Sequence, residues 1–96
     1  MPDIELLPPA RLEYAEAFQW YAGQSLFAAE SFVTEFDAAI NSIRRYPDRY
    51  PRWDDHYRFY LFDRFPYFIA YRLEQDKIVI VAVRHTSRDQ DEWKGR

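Results

Sequence analysis

Six consecutive apolar residues, Ile78-Val79-Ile80-Val81-Ala82-Val83, constrain this chain more than any other feature. All but Ala82 are β-branched, a side-chain type that loses rotamer freedom in a helix and packs well on pleated backbone. A run this short and this apolar predicts a strand buried on both faces or at the centre of a sheet. It is far too short to cross a bilayer. Such a strand needs neighbours, and the flanking sequence supplies them. Tyr67 to Leu73 alternates, with Tyr67, Ile69, Tyr71 and Leu73 on one face and Phe68, Ala70 and Arg72 on the other. Glu74-Gln75-Asp76 is a short polar connection, so these two strands form a hairpin. Tyr57 to Phe62 is a third, aromatic strand, and Ile4-Glu5-Leu6-Leu7 is a short apolar stretch stopped by Pro8-Pro9.

The first half reads as helix. Ala10, Tyr14, Ala17, Phe18 and Tyr21 recur at helical spacing, with Arg11, Glu13, Glu16 and Gln19 mostly on other faces. Pro9 is placed to open this helix, and Gly23 to follow its end in the left-handed region. Ser25 is placed to cap a second helix, whose stripe is Ala29, Phe32, Val33, Phe36, Ile40 and Ile43. Arg44 and Arg45 complement the dipole in its last turn, and Pro47 stops it. Two amphipathic helices of about residues 9–22 and 25–46 form an antiparallel hairpin. A polar, proline-bounded loop covers 47–56.

The expected architecture is α+β in one domain, 1–96. An N-terminal strand (1–8) and a helix hairpin (9–46) precede antiparallel strands (57–85) and a tail (86–96) with a helical turn around Asp89 to Trp93. The helices pack on one face of a three- to four-stranded, mainly antiparallel sheet. Phe32, Val33, Phe36, Ile40 and Ile43 are expected against Ile69, Tyr71, Ile80 and Ala82. A chain of 96 residues holds one such core, and an aromatic content of 20% excludes a disordered linker.

Composition removes most chemistry. There is no Cys, hence no disulfide, thiolate metal site or cysteine nucleophile. The two histidines, His56 and His85, lie far apart and outside any metal-ligand spacing. No elbow motif surrounds Ser25, Ser31, Ser42 or Ser87, and no glycine-rich phosphate loop is present. Neither a cofactor nor a metal is expected. The start of the chain shows no secretory signal, so a soluble, cytoplasmic protein is expected. Net charge is −3, but Arg11 is the sole basic residue among 1–42, whereas 43–96 carry twelve basic groups, ten of them Arg. Arginine at this density suits bidentate contact with carboxylates or phosphates; pairing with the nine acids in the same segment suits it equally.

Arg64-Phe65-Pro66-Tyr67-Phe68-Ile69-Ala70-Tyr71 and Ile80-Val81-Ala82-Val83-Arg84-His85, with Arg88 and the closing Trp93-Lys94-Gly95-Arg96, resemble the RelE/ParE toxin superfamily of type II toxin–antitoxin systems. The helix hairpin ending at Tyr46-Pro47 fits the same family, and the resemblance covers essentially the whole chain. It implies a small bacterial toxin neutralised by a cognate antitoxin, with the pair able to form higher-order assemblies. RelE-like members are ribosome-dependent endoribonucleases; ParE-like members poison DNA gyrase. RelE-like members commonly carry an Arg three residues before the strand Tyr, where this chain has Phe68, and they are strongly basic. This chain is acidic, so the pattern is nearer the ParE-like branch. Three functions follow: a gyrase-directed inhibitor without chemistry, a ribonuclease using Arg84, His85 and Arg88, or a non-toxic member acting only as antitoxin partner. No direct binding to nucleic acid outside the antitoxin complex is expected, and none to membranes. Arg64, Arg88, Trp93 and Arg96 are the candidate partner contacts; Trp93 reads either as an anchor for a partner or as a plug against the sheet. The contact with the target is expected in the tail from Asp89 to Arg96.

Overall fold

A computed structural model describes residues 2–88 and 91–96. The elements run β1 (Asp3–Leu6), α1 (Pro8–Gln24), α2 (Leu26–Arg45), β2 (Arg58–Leu61), β3 (Tyr67–Glu74) and β4 (Lys77–His85). The four strands form one sheet in the order β1-β4-β3-β2. β1 pairs with β4 in parallel; the other two pairings are antiparallel. The apolar run therefore lies on an inner strand, and Ile78 to Val83 are all buried. The expected fold class stands, with four strands and one parallel pairing. The turn expected from Asp89 begins outside the described residues.

The helix hairpin is tighter than its sequence suggests. α1 runs on through Gly23 to Gln24, and Gly23 is helical, not left-handed. Ser25 alone joins the helices. Its N–H closes α1 on the Tyr21 carbonyl at 2.9 Å, and its Oγ accepts the Ala28 N–H at 2.9 Å to cap α2. One capping residue thus serves both ends, so the glycine is not needed as a stop. Pro8, one residue earlier than expected, opens α1, where a missing N–H leaves nothing unsatisfied.

A β-bulge decides which side chains face the helices. Ala70 pairs with Ala82, but Tyr71 pairs with Ile80, so β4 carries one extra residue, Val81. Ile78, Ile80 and Val83 join the helix-side core with Ile69 and Tyr71, under Phe32, Phe36, Ala39 and Ile43. Ala82 was expected on that face; the bulge turns it to the other, beside Val79 and Val81. Val33 and Ile40 sit half-buried on the flanks of α2, so the centre of its stripe falls on Ala29, Phe32, Phe36, Ala39 and Ile43. Phe32 is the hub, with the rings of Tyr21, Phe62, Phe65 and Tyr67 between 5.2 and 5.4 Å away.

The opposite face of the sheet is also covered, by coil. Trp53 of the 47–57 loop stacks on Phe68 at 5.6 Å, and Trp93 of the tail meets Tyr57 at 4.9 Å and Trp53 at 5.3 Å. A strand buried on both faces needs this second layer.

Candidate functional site

β1 ends before β4 does. After Leu7 donates its N–H to the Ile80 carbonyl, Pro8 turns the chain into α1, and beyond that point β4 has no strand on its β1 side. Side chains take the strand's place. Glu13 of α1 accepts the Val83 N–H on Oε1 at 3.0 Å, and Arg96 donates to the Val81 carbonyl at 3.0 Å. Arg96 also grips both oxygens of Glu13, at 3.0 and 3.1 Å, and Arg84 donates to Glu13 Oε2 at 3.1 Å. A carboxylate and a guanidinium thus supply the acceptor and donor that a neighbouring backbone would supply. Arg84 is 5% exposed and also pairs with Glu92 at 2.9 Å. Burial works against its charge, yet the hydrogen bonds it donates to Glu92 and Glu13, together with the charges of both carboxylates, outweigh that and hold its pKa above the ordinary value.

Glu13 and Arg84 of this network also line a cleft of about 430 Å³ between α1 and the end of β4. Trp20 and Glu16 form the α1 wall; Tyr67, His85, Ser87 and Arg88 form the other. Ala17 and Val83 lie between them. Trp20 is 62% exposed. Burial raises the pKa of Tyr67, the nearby Arg88 works to lower it, and Glu16 adds to the rise. The Tyr67 hydroxyl thus lies within the fields of both rim charges.

His85 closes β4 with its ring edge-on to Tyr67 at 5.2 Å. Its Nδ1 accepts the Ser87 N–H at 3.0 Å, and Ser87 Oγ lies 2.8 Å from the same atom. A ring nitrogen that accepts a backbone N–H carries no proton, so neutral His85 holds its proton on Nε2. In that state it has a donor to offer and no base.

The structure brings some of the expected site residues together and separates others. Arg84, His85 and Arg88 adjoin one cleft, but Arg84 is turned into the ion network. Arg88 and Arg64 are exposed, and Arg64 stands apart in the β2–β3 connection, whose Asp63 and Arg64 N–H groups donate to the Glu35 carboxylate. Trp93, entered above as a partner contact, is 0% exposed: it is the plug, and a buried indole has no surface to give a partner. Arg96 is likewise drawn inward by Glu13. Of the described tail, Trp93 alone belongs to the second core, whereas Asp91, Glu92, Lys94 and Gly95 are exposed. Glu13 and Trp20 were not singled out by sequence. Glu13, Glu16 and Trp20 do share one helical face, and that spacing was the available signal.

Among the described residues no group of three or more His, Asp or Glu is placed to hold a metal. No helix there is long and apolar enough to cross a membrane. The arrangement is that of a small α+β domain, with an aromatic-walled cleft beside a sealed sheet. The family described as "ParE toxin of type II toxin-antitoxin system, parDE" matches residues 4–90. The chain therefore belongs to the ParE toxin family of type II toxin–antitoxin systems. Among solved structures it is similar to the chromosomal ParDE toxin–antitoxin system from P. aeruginosa, with a TM-score of 0.64 and 13% identity. That match covers 88% of this chain and 96% of the other, and shows the shared fold. No curated protein matches the chain.

Proposed function

We propose that this chain is a cytoplasmic toxin that acts by binding DNA gyrase, performs no chemistry itself, and is neutralised by its own antitoxin. Family membership implies the antitoxin. The choice of binding over cleavage rests on Phe68. At the position where nuclease relatives commonly place an Arg, this chain has a side chain 2% exposed, roofed by Trp53 and Trp93. A cationic contact to the phosphate at a cleaved bond is worth roughly 3–4 kcal/mol of barrier, and here that position is apolar and closed. In the complex, Arg64, an exposed arginine, would meet an antitoxin carboxylate.

The decisive experiment runs two assays on one preparation. Purified gyrase should lose supercoiling activity on adding the toxin, and messenger RNA on translating ribosomes should stay intact. Codon-positioned cleavage of that messenger, abolished by His85→Ala, would replace this reading with the ribonuclease. Inhibition of neither would leave a non-toxic antitoxin partner.

A further inference from the structure

Arg44-Arg45-Tyr46-Pro47-Asp48-Arg49-Tyr50-Pro51-Arg52-Trp53, at the end of α2 and into the loop beyond, holds four arginines, one acid and three aromatics. The structure sorts them. Tyr50 packs on Tyr60 at 5.1 Å with its hydroxyl on Ser42, and Trp53 stacks on Phe68, so both rings turn inward. Arg44 is half-buried, whereas Arg45, Arg49 and Arg52 are exposed. Among the described residues no carboxylate pairs with any of these three, and Asp48 is drawn to Arg58 at 3.9 Å. The backbone that carries them is fastened to the sheet. Tyr71 donates to the Pro47 carbonyl at 2.7 Å, and Arg58 to the carbonyls of Asp48 and Tyr50 at 3.2 and 2.7 Å. The Phe59 N–H donates to the Pro51 carbonyl at 3.0 Å. Arg49 closes a turn on the Tyr46 carbonyl at 3.1 Å, with its guanidinium 5.0 Å over the Tyr46 ring. Cations on a fixed backbone meet an anion without first ordering a loop, a cost that otherwise weakens binding.

We propose that Arg45, Arg49 and Arg52 form a contact site for the phosphate backbone of a nucleic-acid duplex, independent of base sequence. The site lies apart from the gyrase and antitoxin readings and depends on neither. The expectation of no nucleic-acid contact by the chain alone follows from a net charge of −3, an average that this segment escapes. A duplex offers a negative charge for about every 1.7 Å of its axis, so closely set cations find several partners. A peptide presents carboxylates only where its own sequence puts them. A single strand needs ring faces on which its bases stack, and Tyr46, the one exposed ring of the segment, has a face taken by Arg49. A lipid surface needs apolar side chains beside the cations. The exposed Leu26 and Phe27 stand at the opposite end of α2, roughly 30 Å away for a helix of 20 residues.

The test is fluorescence anisotropy of a labelled DNA duplex of mixed sequence, titrated with the full chain across a salt series. Three phosphate contacts give a slope of log affinity against log salt of about −2.7, or roughly a 40-fold loss between about 50 and 200 mM. Arg45→Gln and Arg49→Gln should each reduce the slope by about 0.9. Arg52→Gln should reduce it by less, because Asp54 and Asp55 line the same cavity as Arg52. Lys77→Gln, the same change of charge beside Glu5, should leave it unaltered. Arg45→Lys and Arg49→Lys should keep the slope, so its loss in the glutamine variants reports charge and not misfolding. A duplex of unrelated sequence should bind equally, a single strand and vesicles of anionic lipid more weakly, and polyglutamate should compete poorly. No binding at about 50 mM salt, or an unchanged slope when Arg45 and Arg49 are both glutamine, would overturn the site. Tighter binding to the vesicles or the single strand, or full competition by polyglutamate, would also overturn it. Gyrase and antitoxin are absent from this assay, so its failure is distinct from theirs.

Discussion

Tyr71 is fully buried on the helix side of β3, and its hydroxyl donates to the Pro47 carbonyl at 2.7 Å. It pins the loop after α2 to the sheet. Burial, partly offset by Arg58, pushes its pKa well above the ordinary tyrosine value. In the unfolded chain the same phenol ionises near pH 10, so above that pH the unfolded state holds fewer protons than the folded one. Stability must then fall as pH rises, by up to about 1.4 kcal/mol per pH unit for one such group. Urea melts should show this decline from about pH 10 upward, and Tyr71→Phe should flatten it while lowering stability at neutral pH. The alternation Tyr67, Ile69, Tyr71 made this face legible in the sequence. Glu13 was not legible. Its neighbours on α1 read as a solvated face, and it is half-buried where Arg84 and Arg96 reach it across 71 and 83 residues. Local periodicity carries no trace of a partner so remote.

At the scale of elements, strands and helices followed from apolar spacing and proline stops, because those signals act within a turn or two of where they are written. The junction between the helices did not. Gly23 and Ser25 both looked like boundary residues, and Ser25 alone does the work by capping in both directions. Gly23 is therefore a helical glycine in the last turn of α1, with nothing within 4 Å of where a Cβ would sit and no positive φ to preserve. Gly23→Ala should stabilise the protein by about 0.5–1 kcal/mol in denaturant melts, through the lower entropy of the unfolded chain. A loss of stability would mean that the helix breaks at Gly23. The bulge at Val81 was also hidden, since an unbroken apolar run offers no alternation from which a change of face can be read.

For the whole molecule, the helices cover one face of the sheet and two coil segments cover the other. The sequence marked β4 as buried on both sides without saying what would bury the second. Trp93 answers that, and it does so with a donor left over: its indole N–H is buried without a hydrogen-bond partner among the described residues. Trp93→Ala should cost about 3–5 kcal/mol from lost contact and a cavity. Trp93→Phe should cost only about 1–2 kcal/mol, because the smaller ring also removes an unsatisfied donor. Guanidinium melts of the two variants check the order. Removing the tail from Asp89 onward would strip out this plug, so a loss of toxicity in that truncation would report unfolding before it reported a target contact.

The carboxylate that stands in for a strand beside β4 also bears on how long the fold lasts once formed. Glu13 meets Val83 and Arg96 across 70 and 83 residues, and side-chain contacts so distant in sequence are expected to form late in folding. Interactions that form after the rate-limiting step act on unfolding and leave folding alone. If Glu13→Gln costs about 2 kcal/mol, the unfolding rate should rise roughly 30-fold with the folding rate nearly constant. Stopped-flow chevrons would show the unfolding limb displaced and the refolding limb in place; a displaced refolding limb would put the contact in the nucleus. The ion pair at the edge of β4 is then a kinetic clasp, setting the lifetime of the native state more than the speed of reaching it.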